Sequence, residues 1–370
     1  FAVFFALFAP LVGIVVCLSA PAYLERHKID HPGEFFGLIL LALAAVILLG
    51  AAADLVTLYL GIDFLGIAAY ALAGFAKRDA RASEAGIKYF LIGAVSSAIM
   101  LYGMSLLYGL TGSTNLTTIG QRLIGGADPA ALAAAMLILV GLGFKVALVP
   151  FHMWCPDAYE GAPTPITAFL SVAPKAGGFA ALLRLFLHAL PAVPWGPALA
   201  TLAGLTMTVG NLLAIPQTNI KRMLAYSSIA QAGYIIIGLC VAPPSPEGAP
   251  LSSFGAPSVL FYLMAYLLMN LGAFAVVIAV SNQMGSEHIN DYAGLIRRSP
   301  FLATALALFF LSLAGVPPLA GFVAKLLVFA SAVEAHYYSL AIIGVVNSVV
   351  SIYYYFNVVR LMFLQPAASP

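Results

Sequence analysis

Four ionisable side chains occur inside long apolar stretches of the sequence, where a charge is costly. They are Asp63 in LYLGIDFLGIAAY, Lys145 in LVGLGFKVALVP, Lys175 in FLSVAPKAGG and Lys325 in LAGFVAKLLVF. One ionised side chain at the middle of a bilayer costs about 2.5–3.5 kcal/mol on insertion scales, and such residues usually mark ion pathways. Several of them with water between could hand protons on in turn. The pattern therefore predicts a proton relay. The alternative is that all four are structural charges that hold helices together.

Prolines interrupt two of the apolar stretches next to these lysines. Pro150 follows Lys145, and the LAGVPPLAG element precedes Lys325. A proline removes a backbone donor and clashes with the carbonyl four residues earlier, so each stretch is predicted to be a broken helix. Broken membrane helices are typical of ion-binding sites. The segment PDAYEGAPTP after the first break is predicted to be a polar turn that leads into the helix of Lys175.

The helix dipole suggests different roles for two of the lysines. Lys145 is predicted near the C-terminal end of a half-helix, where a cation is favoured. Lys325 is predicted toward the N-terminal end of its half-helix, where a cation is disfavoured. We therefore expect Lys145 to stay charged and Lys325 to give up its proton more readily.

Supporting residues have two interpretations each. His152, just after the first break, either relays protons or hydrogen-bonds the unwound backbone. Glu84 and Lys88 are spaced i,i+4 and predict an ordinary helix ion pair, with a gate at the cytoplasmic entrance as the alternative. A set of polar residues within the predicted spans forms either helix-packing contacts or parts of a water path: Ser96, Ser97, Asn211, Ser227, Ser228, Gln231, Asn270 and Asn347.

Composition excludes several classes of protein. Of the 370 residues, 62% are hydrophobic and only 8% are charged, against roughly 25% charged in soluble domains. The chain is therefore predicted to be a polytopic, all-α membrane protein. The net charge of +2 comes without a basic run, which argues against nucleic-acid binding. The isolated Cys17, Cys155 and Cys240 predict neither a disulfide framework nor a metal site.

Apolar segments of about 20 residues predict eleven transmembrane helices. Their approximate bounds are 1–21, 34–54, 55–76, 84–110, 130–151, 163–190, 196–216, 219–242, 255–282, 299–333 and 336–364. Ten of the sixteen lysines and arginines fall in loops on one side, which the positive-inside rule makes cytoplasmic. Asp63 lies about nine residues into its span, roughly 13 Å deep, near the middle of the bilayer core.

An internal repeat divides the chain. Residues 1–33 hold a first helix and a cytoplasmic loop, residues 34–190 a set of five spans, and residues 191–370 a second set of five. In each set the fourth span is the broken one. An odd number of spans forces the two sets into opposite orientations, which is the inverted-repeat layout of many transporters.

Three long motifs resemble the antiporter-like membrane subunits of respiratory complex I, most closely the subunit N (subunit 2) family. They are GLGFKVALVPFHMWCPDAYEGAPTPITAFL at 141–170, QTNIKRMLAYSSIAQAGY at 217–234 and LSLAGVPPLAGFVAK at 311–325. The family fold has fourteen helices with two inverted five-helix repeats. The resemblance implies that this chain corresponds to helices three to thirteen, and the apolar start at Phe1 without a basic region likewise predicts a fragment rather than a signal peptide.

The resemblance also implies roles for individual residues. The family's relay lysines correspond to Lys145, Lys175 and Lys325, and its pair in the sixth helix to Glu84 and Lys88. The family's glutamate in a GIE motif corresponds to Asp63 in GID, which is one methylene shorter and so reaches less far toward Lys145.

The function that the resemblance implies is that of a proton-translocating subunit of an NADH:quinone oxidoreductase in a bacterial inner membrane, with an organelle membrane as the alternative. It would hold no cofactor or metal of its own; NADH, FMN, iron–sulfur clusters and quinone would belong to partner subunits. Its partners would be other membrane-arm subunits, especially antiporter-like ones, and the bilayer. A cation/proton antiporter, a membrane-bound hydrogenase or a non-pumping scaffold remain the competing interpretations.

Overall fold

The computed structural model describes residues 1–123, 128–191, 193–242 and 252–366. Sixteen α-helices are found in these ranges, together with a π-helical turn at Leu185–Ala189 and a 3₁₀ turn at Ile289–Tyr292. The helices are α1 (Ala2–Ser19), α2 (Pro21–Arg26), α3 (Pro32–Ala51), α4 (Leu55–Ala73), α5 (Ala80–Thr111), α6 (Leu116–Arg122), α7 (Pro129–Val146), α8 (Trp154–Gly161), α9 (Thr164–Arg184), α10 (Gly196–Ala214), α11 (Ile220–Cys240), α12 (Gly255–Met284), α13 (Leu295–Arg298), α14 (Pro300–Ala314), α15 (Ala320–Glu334) and α16 (Tyr338–Leu364).

The prediction of an all-α polytopic membrane protein is confirmed. Ten helical segments in the described ranges are long and apolar enough to cross a bilayer. The remaining predicted span, 299–333, consists of α14 and α15, which have 15 residues each and are separated by the double proline. The chain is a multi-pass membrane protein.

The first break differs from its prediction. The helix α7 ends at Val146, four residues before Pro150, and Ala147 adopts a left-handed conformation. The segment predicted to be a polar turn is mostly the short helix α8, which carries Asp157 in its first turn, where the dipole favours an acid. The Trp154 indole N–H donates to the Phe144 carbonyl at 2.9 Å and fixes α8 against the end of α7.

One connection occurs in both halves of the chain. The Leu55 N–H donates to Thr114 and the Leu116 N–H to Ala53, at 2.9 and 3.0 Å. In the second half, the N–H groups of Ile220 and Ile289 pair in the same way with the carbonyls of Glu287 and Thr218, at 2.9 and 2.8 Å. Each bridge joins the start of a set's second helix to the short helix after its third. The exact bounds of the repeats stay a prediction.

The two helices at the centre of the molecule are α9 and α11. All of the apolar window of α9 and 94% of that of α11 are buried, whereas α1, α5 and α16 are only one-third buried. The outer helices present apolar side chains outward, as a lipid or protein neighbour requires. Polar groups on α9 and α11 are therefore removed from lipid and must be satisfied inside the protein.

Candidate functional site

Three of the four predicted site residues are buried lysines in the middle of the molecule. Lys145 is in the last turn of α7, Lys175 is in the middle of α9, and Lys325 is in the second turn of α15. Their exposed fractions are 1%, 2% and 4%. None of them can reach the membrane surface as a long side chain near a helix end would.

Lys145 lies among aromatic rings. Its Nζ is 5.2 Å from the centre of the Tyr70 ring, 6.0 Å from Tyr89 and 5.7 Å from Phe144. The amine has no hydrogen-bond acceptor among the described residues. A cation over an aromatic face gains about 0.5–2 kcal/mol, which offsets part of its burial. Gly66 on α4 leaves room for it, because a Cβ there would lie 3.1 Å from Nζ.

Asp63 adjoins Lys145 without an ion pair. Its Oδ1 accepts a hydrogen bond from the Ser97 hydroxyl at 2.6 Å, and the side chain is half-buried. Asp63 lies one turn before Gly66 on α4, so carboxylate and amine adjoin the same helix. Within the described part of the chain, no carboxylate lies within 4.0 Å of the Lys145 amine. Asp63 and Lys145 are therefore near each other but are not in direct contact.

Lys175 crosses from α9 to α11. Its Nζ donates to both the carbonyl and the hydroxyl of Ser228, each at 2.5 Å. The Ser228 hydroxyl also accepts from the Tyr266 hydroxyl on α12 at 2.7 Å. The Ser228 hydroxyl therefore accepts two hydrogen bonds and keeps its own proton to donate, and the Tyr159 hydroxyl lies 3.5 Å from it.

Lys325 lies toward the N-terminal end of α15, as predicted, but its amine does not stay at that end. The side chain reaches back across the break, and Nζ donates to the carbonyl of Ala314, the last residue of α14, at 2.8 Å. The amine is thus at a helix C-terminus, where the dipole favours a cation. The Tyr234 ring lies 4.6 Å away and adds to this preference.

A polar ridge on α11 extends between the Lys175 and Lys325 sites. Its members are Ser227, Ser228, Gln231 and Tyr234, which share one helix face. Gln231 Nε2 donates to the Leu313 carbonyl at 3.0 Å, and its Oε1 accepts from the Tyr262 hydroxyl. The Ser227 hydroxyl pairs with that of Tyr355. These bonds pack helices together, as one interpretation predicted, and they also connect the surroundings of the two lysines.

The ridge continues beyond Tyr234 through buried amides. The Asn211 amide donates to the Tyr234 hydroxyl and to the Asn347 side chain, each at 3.1 Å, and Asn211 accepts from Tyr354 at 3.0 Å. Asn347 then donates to Thr208 at 3.1 Å. The network therefore joins α10, α11 and α16 near Lys325.

The predicted pair of Glu84 and Lys88 is present, with 2.7 Å between its charged atoms. Lys88 also binds Asp157 on α8 at 2.9 Å. Arg222 at the start of α11 binds Asp157 and Glu160, each at 2.8 Å. The pair thus belongs to a network of five residues that fixes α8 between α5 and α11: Glu84, Lys88, Asp157, Glu160 and Arg222. The spacing of Glu84 and Lys88 along one helix did not predict the other three members.

The Asp157 carboxylate should make this network sensitive to acid. Burial favours its neutral form, but hydrogen bonds from Lys88 and Arg222 outweigh burial and lower the pKa of Asp157. The ionised carboxylate therefore stabilises the fold. This stabilisation is complete above the ordinary aspartate pKa of about 3.9 and is lost as the pH falls through the lowered pKa.

We expect Asp157→Asn to lower the melting temperature at neutral pH, with the difference shrinking below about pH 4. Thermal melting of the purified membrane complex measures this. Asp128→Asn is the control, because Asp128 is exposed and only caps α7; an equal loss at every pH would contradict the prediction.

His152 lies half-buried beside the first break, and its Nδ1 has no hydrogen-bond partner among the described residues. Its role stays a prediction.

Sequence reasoning missed a buried ion pair at the end of the molecule that the positive-inside rule predicts to be cytoplasmic. Lys221 was counted only as a topology signal, yet it is 3% exposed, and its Nζ lies 2.7 Å from Glu287. The signal was present, because Lys221 is already inside the first turn of α11, but the adjacent Arg222 made both look like loop charges.

Comparison with known proteins gives a consistent picture. Residues 52–351 match the model of the NADH:quinone oxidoreductase/Mrp antiporter transmembrane family. NADH-quinone oxidoreductase subunit N of Desulfitobacterium hafniense is 46% identical over 98% of this chain and 75% of its own length. The subunit N of Trichlorobacter lovleyi is 47% identical over 99% of this chain and 74% of its own length.

Solved structures agree. A chain of respiratory complex I from Thermus thermophilus is similar with a TM-score of 0.79 and 37% identity, over 98% of this chain and 78% of that one. A chain of the Mrp complex from Dietzia has a TM-score of 0.85 with 25% identity, over 99% of this chain and 67% of that one. Both chains share the fold, but the sequence of this chain is more similar to that of the complex I chain than to that of the Mrp chain. The chain belongs to the NADH:quinone oxidoreductase/Mrp antiporter transmembrane family and, within it, to the subunit N group of NADH-quinone oxidoreductases.

Proposed function

We propose that this chain translocates protons through Asp63, Lys145, Lys175 and Lys325, as a subunit of a complex that oxidises NADH and reduces a quinone. The observation that supports this most is the burial of three lysines, with the polar ridge on α11 extending between two of them, Lys175 and Lys325. A purely structural lysine gains most from a direct carboxylate partner. None of these three amines has one within 4.0 Å in the described part of the chain.

The proposed transfer uses the chain's own groups. A charged Lys145 is held by aromatic rings and by the nearby charge of Asp63. A proton on Lys175 can leave toward the Ser228 hydroxyl, and the ridge on α11 leads from there to Lys325. Changes of charge in neighbouring subunits would shift these lysines between protonated and neutral forms, because charges interact strongly at low dielectric.

The remaining parts of the proposal concern the assembly. The chain would bind no cofactor or metal; NADH, FMN, iron–sulfur clusters and quinone would belong to other subunits. Other antiporter-like subunits would be its neighbours in the membrane arm. Its location would be the inner membrane of a bacterium. Its contribution to the enzyme would be translocation without redox chemistry.

Lys175→Met tests the relay in the assembled complex, since methionine keeps the length and removes the charge. We expect NADH-driven proton pumping to fall by about 100-fold or more, on the scale of losing a proton-transfer group, while the amount of assembled complex stays unchanged. Both are measured on membrane vesicles, by a pH-sensitive dye and by quantifying the subunit. Arg297→Met, at an exposed position in α13, is the control, because it likewise removes one positive charge.

The competing interpretations predict other outcomes. Normal pumping with full assembly would exclude the relay, whereas loss of assembly alone would favour the scaffold. An antiporter would exchange cations without NADH. The fold is compatible with that, given the Mrp likeness, but the subunit N kinship favours the oxidoreductase.

A further inference from the structure

A cavity of about 540 Å³ opens at the cytoplasmic end of the chain, where the positive-inside rule places the charged loops. It lies between the α1–α3 connection, the α4–α5 loop and the end of α8. Its lining includes Ala162, Pro163, Lys221 and Glu287. The lining carries lysines and arginines together with carboxylates. This mixture of charges favours water and protons over binding of either an anion or a cation.

The innermost part of this lining is the pair of Lys221 and Glu287. The Lys221 ammonium donates to Glu287 and to the Ala162 carbonyl, at 2.7 and 2.8 Å. Lys221 is in the first turn of α11, where a cation is disfavoured, but the carbonyl that it binds belongs to Ala162, the C-cap residue of α8, where a cation is favoured. Glu287 balances the charge of the buried ammonium, and at 23% side-chain exposure it still faces the cavity.

A stripe of hydroxyl groups leads from this pair to Lys175. Thr164, Thr167, Ser171 and Lys175 recur at intervals of three and four residues, which puts them on one face of α9. Every one of them is buried. The Thr164 hydroxyl donates to Glu287 at 3.2 Å. The stripe covers roughly 16 Å at 1.5 Å per residue, about half of the bilayer core.

Asn270 on α12 faces the middle of the stripe. Its amide N–H donates to the Ser171 hydroxyl. The Asn270 side chain is fully buried, yet its Oδ1 has no hydrogen-bond partner among the described residues. A buried amide oxygen needs a donor, and water is the donor that fits a polar path. The stripe thus has, beside Ser171, a group that can accept a hydrogen bond from water.

We propose that Glu287 is the proton-uptake residue of this chain and that Lys221 gates it, an inference that rests on the proposed relay. The Glu287 carboxylate takes a proton from water in the cavity, which breaks its ion pair with the Lys221 ammonium. The proton then passes along the α9 stripe to the neutral amine of Lys175. Glu287 returns to its carboxylate form and re-forms the pair, while Lys221 stays protonated throughout.

Glu287→Gln is the test, because glutamine keeps the size and the hydrogen bonds but cannot carry the proton. In the assembled complex we expect the rate of NADH-driven pumping to fall at least about tenfold, with a larger solvent deuterium isotope effect, as loss of a proton-transfer group predicts. Glu287→Asp should restore most of the rate. Glu160→Gln is the matched control, since Glu160 lines the same cavity but binds Arg222.

Thr164→Val gives a second variant should Glu287→Gln fail to assemble. It removes only the hydroxyl that follows Glu287, and we expect pumping to slow several-fold with normal assembly. Unchanged pumping in both variants while Lys175→Met abolishes it would overturn the uptake site and leave the relay intact. Unchanged pumping in Lys175→Met as well would instead overturn the relay. An unaltered isotope effect with reduced assembly would assign the pair a structural role and overturn the proposal.

Discussion

Gly321→Ala should prevent the second broken helix from packing. A Cβ at this position would overlap the carbonyl oxygen of Ser312 and come within 2.9 Å of Met269 Sδ. The first obstacle is backbone, so α14 and α15 would have to separate. We expect a loss of about 3 kcal/mol or more in the free energy of unfolding, the upper end of the cost of overpacking. Lys325 would lose its contact with Ala314. The melting temperature and the yield of the purified complex measure the effect.

A matched glycine makes this prediction specific. Gly37 is exposed in the interior of α3, and no atom lies within 4 Å of a Cβ built there. Gly37→Ala should therefore stabilise the chain by about 0.5–1 kcal/mol, because alanine loses less backbone freedom in a helix. Similar melting temperatures for the two variants would contradict the packing around Gly321.

Gln231→Leu should weaken both the fold and the passage between Lys175 and Lys325. Leucine fills the space but leaves the Leu313 carbonyl and the Tyr262 hydroxyl without their partner. Each buried polar group that loses its partner costs about 1–3 kcal/mol, so about 2–6 kcal/mol is expected in total. Pumping should fall further than this destabilisation alone explains, since the polar ridge is interrupted. Melting of the complex and pumping per assembled complex separate the two effects.

Two substitutions complete this experiment. Gln217 is half-buried in the segment after α10, and among the described residues its amide donates to the Leu213 carbonyl near the end of that helix. Gln217→Leu should leave stability and pumping unchanged within about 0.5 kcal/mol. Gln231→His, whose neutral ring offers one donor and one acceptor, should retain most of both. Equal pumping in Gln231→Leu and the unsubstituted chain would exclude the ridge from the proton path.

Much of the architecture could be predicted because it depends on local properties of the chain. Apolar length fixed the spans, and the excess length of 299–333 with its double proline identified the second break. The pair of Glu84 and Lys88 followed from helix spacing. Burial of the lysines followed from their apolar surroundings, since a side chain amid such sequence has few other places to lie.

The contacts that give the site its chemistry could not be predicted in this way. The direction of the Lys325 side chain depends on how the break at 315–319 joins α15 to α14, which no spacing rule contains. Lys221 and Glu287 are far apart in the sequence and meet only because α11 and the loop after α12 share one end of the molecule. The helix α8 was taken for a turn because it is short and polar, and its support comes from Trp154 and from charges on other helices.

The contact of Lys325 with Ala314 has a mechanical consequence. It joins the two parts of a split helix, so the proton that carries charge there also strengthens their attachment. A hydrogen bond from a charged donor is about twice as strong as one from a neutral donor. In the proposed relay, each departure of this proton would therefore loosen α15 from α14, and each arrival would tighten the attachment. A subunit packed against α15 would sense the occupancy of Lys325 as a change in stiffness, without any helix changing its place.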